Sequence, residues 1–416
     1  MNDHIDPALL RGLTQRRSRP AYGRRDLLRL SAVAGAGLAL AGCGVKGKKA
    51  APPKQSDVQK YWTGKQKSGH VDFANWPLYM DPKHPELKKF TAATGISVTY
   101  KEVIQDDPSW FAKIQPQLAA GQSIGYDIMV VTNGIEFSEL VELGYLAPLD
   151  HSKLPNFAKY AGAQYKKESF DPGNVFSIPW TSGMTGIGYN PKYVKTPPTK
   201  IADLWNPQYK GKVGMMSDSQ ELGNFGMLLD GVKPENSTSS DWTAAAAKLK
   251  EQRDQGIVRK YYEQDYIKPL TSGDVWLTMA WSGDIFQQNA SAGTNLRFVL
   301  PEEGATIWTD NMMIPKTAEN PVDAIMLMDF FYDPQIAASL AEYINYVTPV
   351  PGARDIIRSD AAKASGSDRK SLEEVAGSPL VFPSATDYAK LHNYRSFKNA
   401  QEKQQYQSVF LPIVQS

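Results

Sequence analysis

A single cysteine, Cys43, occurs in 416 residues. An exported chain with one cysteine forms no internal disulfide, and no thiolate pair is there to hold a metal. Histidine is nearly as scarce: His4, His70, His84, His151 and His392 are scattered, with no H-E-x-x-H or other paired-ligand spacing. Phosphate-cradling and dinucleotide-binding glycine motifs are missing, and no serine is read as the nucleophile of a strand-to-helix elbow. Metal and nucleophile catalysis are therefore disfavoured, and no cofactor is expected. Charge of one sign is also lacking, with 46 Lys+Arg against 44 Asp+Glu. Nucleic-acid binding, which needs a basic face, has no support.

Long apolar runs are absent too. The stretch "SAVAGAGLALA" (Ser31–Ala41) is about half the length that a membrane-spanning helix requires. Its flanks explain it. Arg24, Arg25 and Arg29 precede it in "GRRDLLRL", and "LAGC" ends it at Cys43. A basic segment, a short apolar core and small residues before a cut read as an export signal over 1–42. The paired arginines resemble a twin-arginine (Tat) signal, and "LAGC" resembles a bacterial lipobox, which would make Cys43 the lipidated first residue of the mature chain. Removing 1–42 takes away seven Arg and three Asp, so a formal +2 becomes −2. Residues 43–68, rich in Lys, Pro and Gly, read as the lipidated Cys followed by a flexible tether.

From His70 onward, strand-like runs alternate with helix-like ones. "VDFAN" precedes "PELKKFTAATG", "YDIMVV" precedes "EFSELVELG", and "VWLTMAW" precedes "GDIFQQNAS". Such alternation argues for α/β layers, and the length argues for two domains. Several strands end in side chains suited to a ligand: Asn75-Trp76, Thr132-Asn133, Ser217-Asp218 and Trp281-Ser282. Ligands gather outside the carboxyl ends of strands in open α/β sheets, so these ends point to one convergent site.

Two carboxylate settings carry chemistry. In "ATIWTDNMMIP", Trp308 and Asp310 stand two residues apart, on one face of an extended segment. They read either as a packed Trp beside an exposed Asp, or as an aromatic wall and a counter-ion for an organic cation. In "MMSDSQELG", Asp218 and Glu221 have the spacing of a capping box. Helix cap and ligand group are both open there. Paired acids and nine Trp in an exported protein also allow a secreted glycosidase.

Seven pieces in order settle the leading reading: "NWPLYM", "YDIMVVT", "SIPWTSGMTGIGYN", "ADLWNPQYKGKVGMMSD", "MAWSGDIF", "IWTDNMMIP" and "INYVTPVPGAR". With them, the chain from about His70 onward resembles the extracytoplasmic spermidine/putrescine-binding proteins of bacterial ABC transporters. The resemblance implies a two-lobe α/β periplasmic-binding-protein fold with a ligand cleft between lobes joined by crossover strands. It places lobe 1 at 69–181 plus 311–354 and lobe 2 at 182–310 plus 355–416, with "PWTSG" and the surroundings of Asp310 as crossovers. It carries an amine box onto Trp76, Tyr79, Asp218, Glu221, Trp281, Trp308, Asp310 and Tyr346, with Asn133 at the neighbouring strand end. The implied role is capture of a polyamine-type cation, not catalysis. The implied partners are an ABC permease and its cytoplasmic ATPase, reached by a monomer anchored through Cys43. The chain departs from the pattern at Asn133 and Ile135, where a Ser and an aromatic are usual, and at Pro77, where a hydroxyl is usual. The choice between a diamine, a longer polyamine, another amine or a sugar stays open.

Overall fold

The computed structural model describes residues 53–263, 265–397 and 399–415. Cys43 and the leader lie outside them. Within the expected tether, Gln55–Trp62 is a helix packed on the body. Trp62 is buried and its Nε1 donates to the Pro148 carbonyl at 2.8 Å. The Lys-rich composition concealed one apolar face, made by Trp62 and its edge-on neighbour Tyr61.

Among the described residues, ten strands form one hydrogen-bonded ladder: β1 (His70–Asn75), β2 (Ser97–Glu102), β3 (Ile128–Thr132), β4 (Ser177–Tyr189), β5 (Val213–Met216), β6 (Val258–Tyr262), β7 (Leu277–Trp281), β8 (Arg297–Val299), β9 (Ala305–Met313) and β10 (Leu391–Asn393). The order is β2-β1-β3-β9-β4-β7-β5-β6, with β8 paired to β4 and β10 to β9. The β1–β2, β1–β3, β5–β6 and β5–β7 pairs are parallel, as helical crossovers require. The long central strands β4 and β9 run antiparallel to each other and are buried along almost their whole length.

Two large apolar cores flank that central pair, as a two-lobe α/β protein demands. Phe73, Val130, Ile178, Met312 and Phe331 belong to the first. Ile187, Val213, Phe225, Met279 and Phe410 belong to the second. The helix Ser239–Asp254 is capped by Thr238, whose N–H donates to the Asp241 carboxylate.

Candidate functional site

Asp310 sits on β9 opposite Thr132 of β3 and Thr181 of β4. Its Oδ1 accepts the Thr132 hydroxyl and its Oδ2 the Tyr79 hydroxyl, each at 2.6 Å. Burial raises its carboxyl to about 6, against two hydrogen bonds that favour the charged form. Asp107 is a further acid nearby. Burial, then Glu136 and Asp310, lift its carboxyl well above the usual range, and its Oδ1 has no hydrogen-bond partner.

Register builds the second carboxylate's cradle. Thr185 of β4 lies opposite Thr306 of β9 on one side and Trp281 of β7 on the other. All three donate to Glu221: Thr185 at 2.5 Å and Trp281 Nε1 at 3.2 Å to Oε1, Thr306 at 3.1 Å to Oε2. The Tyr394 hydroxyl is a fourth donor. Burial still raises the Glu221 carboxyl to about 7. Four donors use up about all the lone-pair positions of a carboxylate.

Asp218 is the N-cap of the helix Ser219–Leu228; its Oδ1 accepts from the N–H groups of Gln220 (2.9 Å) and Glu221 (2.7 Å). Glu221 does not reach back, so only half of a capping box forms. Asp218 Oδ2 takes part in neither bond, and the residue is exposed at the helix N-terminus.

Asp284, in the first turn of the helix Ser282–Ala292, is a site residue the sequence reading missed. It accepts the Tyr266 hydroxyl at 2.7 Å and the Tyr346 hydroxyl at 2.8 Å, and burial raises it. Its signal was present: it lies three residues past Trp281, inside "MAWSGDIF". Tyr266 and Tyr394 were missed as well.

Five rings run between these acids. Trp281 meets Trp308 edge-on at 6.3 Å, Trp308 meets Tyr346 at 5.3 Å, Tyr346 meets Tyr79 at 6.1 Å, and Tyr79 meets Trp76 at 6.4 Å. Trp308 lies flat across β4 because its opposite residue is Gly183, where a Cβ would fall 2.2 Å from the ring. Trp76 is half-buried, with Nε1 bonded to the Val130 carbonyl at 3.1 Å. Asn133 is spent otherwise: its Oδ1 accepts the Thr309 N–H at 2.6 Å, and its remaining amide donor offers an ammonium nothing. It braces β9 beside Asp310. Among the described residues, no Lys or Arg pairs with Asp218, Glu221, Asp284 or Asp310.

One string passed over in the sequence has nucleophile spacing: Gly121-Gln122-Ser123-Ile124-Gly125. It joins the end of the helix Asp107–Ala119 to β3, the reverse of a strand-to-helix elbow, and Ser123 Oγ accepts the Gly125 N–H at 3.1 Å.

A two-lobe α/β body with a buried, acidic, aromatic-lined centre at its crossover strands defines a solute-binding protein. The chain matches the bacterial extracellular solute-binding protein family over residues 87–366 and belongs to it. It is 32% identical over 295 residues to the spermidine/putrescine-binding periplasmic protein of Escherichia coli, covering 70% of this chain and 80% of that one. It is 30% identical over 347 residues to a putrescine/cadaverine-binding protein of Pseudomonas aeruginosa, covering 79% and 89%. Among solved structures, a putative spermidine/putrescine ABC transporter protein from Listeria monocytogenes aligns with a TM-score of 0.69 at 26% identity, over 83% of this chain and 99% of that one.

Proposed function

We propose that this chain captures polyamine-type cations outside the cytoplasmic membrane and hands them to an ABC permease driven by a cytoplasmic ATPase. One observation carries the reading: four carboxylates, Glu221 and Asp310 buried, Asp284 half-buried and Asp218 exposed, surround a run of aromatic rings with no Lys or Arg paired to them among the described residues. Buried acids without a counter-ion are costly, and an ammonium supplies it through charge-assisted hydrogen bonds. Aromatic faces cover an alkyl stem and attract its charged ends. The relatives' ligands support the same class.

The anchor at Cys43, the monomeric state and the lobe boundaries at 69–181 plus 311–354 and 182–310 plus 355–416 belong to the same proposal. Cys43→Ser should release the protein from membranes of its native host; a variant that stays membrane-bound contradicts the anchor. Calorimetry on the purified protein with putrescine, spermidine, 4-aminobutyrate and maltose tests the ligand class. The polyamines should bind and maltose should not. Binding of maltose alone contradicts the cation reading, and release of product from a glycoside panel would establish an enzyme instead.

A further inference from the structure

The helix Gln55–Trp62 stands near the start of the described residues, and its two faces differ in chemistry. Val58, Tyr61 and Trp62, at helical spacing, pack against the first apolar core. Ser56 and Lys60, on the opposite face, are exposed. Lys54 and Lys67 on either side of the helix are exposed as well, and Lys65 Nζ lies 4.5 Å from the Tyr61 ring centre. Asp57 is the one acid of this segment, and its Oδ2 accepts the Lys54 N–H at 2.8 Å. Among the described residues, none of these four lysines pairs with a carboxylate; Lys67 Nζ donates to the Thr94 carbonyl instead. By contrast, Lys200, Lys248, Lys250 and Lys260, beside the second core, each pair with one.

The imbalance extends along the sequence. Residues 44–68 hold seven Lys and one Asp, so the formal −2 of the chain after the leader divides into +6 there and −8 over residues 69–416. A basic segment docked by its apolar face on an acidic body gives the molecule an electrostatic direction. Cys43 precedes Pro53 by ten residues, and ten residues of chain span at most about 35 Å. The expected lipid anchor is thus tied closely to the lysines.

We propose that this lysine-bearing face docks on an anionic lipid surface and turns the first-core side of the body toward the membrane. Lysines gain electrostatic energy beside such a surface, and salt screens the gain within a Debye length. A single acyl chain holds a protein only marginally, and a basic patch is a second signal that steadies the hold. Alone, the face binds weakly and reversibly at physiological salt, so release of Cys43→Ser is still expected.

The experiment is vesicle sedimentation of residues 44–416, which contain every described residue and no cysteine. The vesicles are phosphatidylcholine alone, or phosphatidylcholine and phosphatidylglycerol in equal parts. At low salt the protein should bind the anionic vesicles at least about tenfold more strongly than the neutral ones, and lose that binding as salt rises. Changing Lys54, Lys60, Lys65 and Lys67 together to Gln should weaken binding at least about tenfold. The same change at the exposed Lys200, Lys250, Lys260 and Lys268 should weaken it less than about threefold. A fluorophore on Ser56→Cys should respond to anionic vesicles, and one on Gln255→Cys, past the end of the helix Ser239–Asp254, should not. Equal binding to both vesicle types overturns the proposal. So does equal loss in the two fourfold variants, or a response at Gln255 without one at Ser56. No readout involves a polyamine, so this inference and the ligand reading fail separately.

Discussion

Tyr79 and Asp310 face each other across 2.6 Å, the phenol donating to the carboxylate. The arrangement recurs at Asp284, with Tyr266 and Tyr346, and at Glu221, with Tyr394. Neutral hydroxyls thus occupy acceptor positions that a cation would take, in a setting where burial keeps the acids easily protonated. An ammonium is the stronger donor, so its arrival should drive the carboxylates to their charged form.

That exchange sets the pH dependence. Asp310 at about 6 and Glu221 at about 7 lie above their ordinary values of 3.8 and 4.5. Raised values mean that the ligand-free fold gains stability from protonation. This gain is full below about pH 4 and is lost as pH rises through 6 and 7. Ligand reverses the sign by favouring the charged acids. The Tm shift given by putrescine should therefore grow from pH 5 to pH 8, and titrations near pH 6.5 in buffers of different ionisation enthalpy should register proton release. A shift independent of pH contradicts the assignment.

Asp218 separates its two roles by substitution. Asparagine caps a helix about as well as aspartate, so Asp218→Asn should leave Tm nearly unchanged yet weaken amine binding by roughly tenfold. Asp218→Ala should lose the same affinity plus about 1 kcal/mol of stability. Equal affinity in wild type and Asp218→Asn would leave Asp218 as a cap alone.

Glu221 should behave differently from Asp310 because its acceptor positions are full. Glu221→Gln retains an acceptor for Thr185 and Trp281, so its loss of affinity should be smaller than that of Asp310→Asn. Glu221→Ala leaves the Trp281 N–H without its acceptor and should cost about 1–3 kcal/mol of stability. Calorimetric titration of Glu221→Gln and Asp310→Asn checks the order of affinities, and chemical denaturation of Glu221→Ala checks its loss of stability.

Gly183→Ala tests the placement of Trp308. The added methyl falls 2.2 Å from the ring, and overpacking of this kind typically costs about 1–3 kcal/mol. The ring must tilt off β4, so tryptophan fluorescence should change and amine affinity should fall. A Gly183→Ala protein with wild-type fluorescence and affinity contradicts the close approach.

Much of this arrangement was legible because strands place their last residues at one edge. Trp76, Trp281, Trp308 and Asp310 stood out as polar or aromatic strand residues, and the structure gathers them in one place. Asp284 was harder to see, since the first turn of a helix after a strand invites a capping explanation. Tyr394 was beyond reach. A three-residue strand shows no periodicity, and its pairing with β9 joins Asn393 to Ile307 across a long span of chain. The helix Gln55–Trp62, docked through the buried Trp62, was hidden by the lysines around it. Asn133 looked like a ligand group, and only the register of β3 against β9 reveals that its oxygen is engaged by Thr309.

The account turns on Asp310 meeting a ligand ammonium in a dry cleft, and one paired titration tests it. Putrescine is titrated into wild type and Asp310→Asn, with Tm of the ligand-free proteins measured alongside. Truncating one partner of a buried charge pair typically costs about 2–5 kcal/mol, so Asp310→Asn should bind at least about thirtyfold more weakly. Its ligand-free Tm should be unchanged or higher, because a buried acid is gone. Equal affinity for putrescine in the two folded proteins would contradict the central claim.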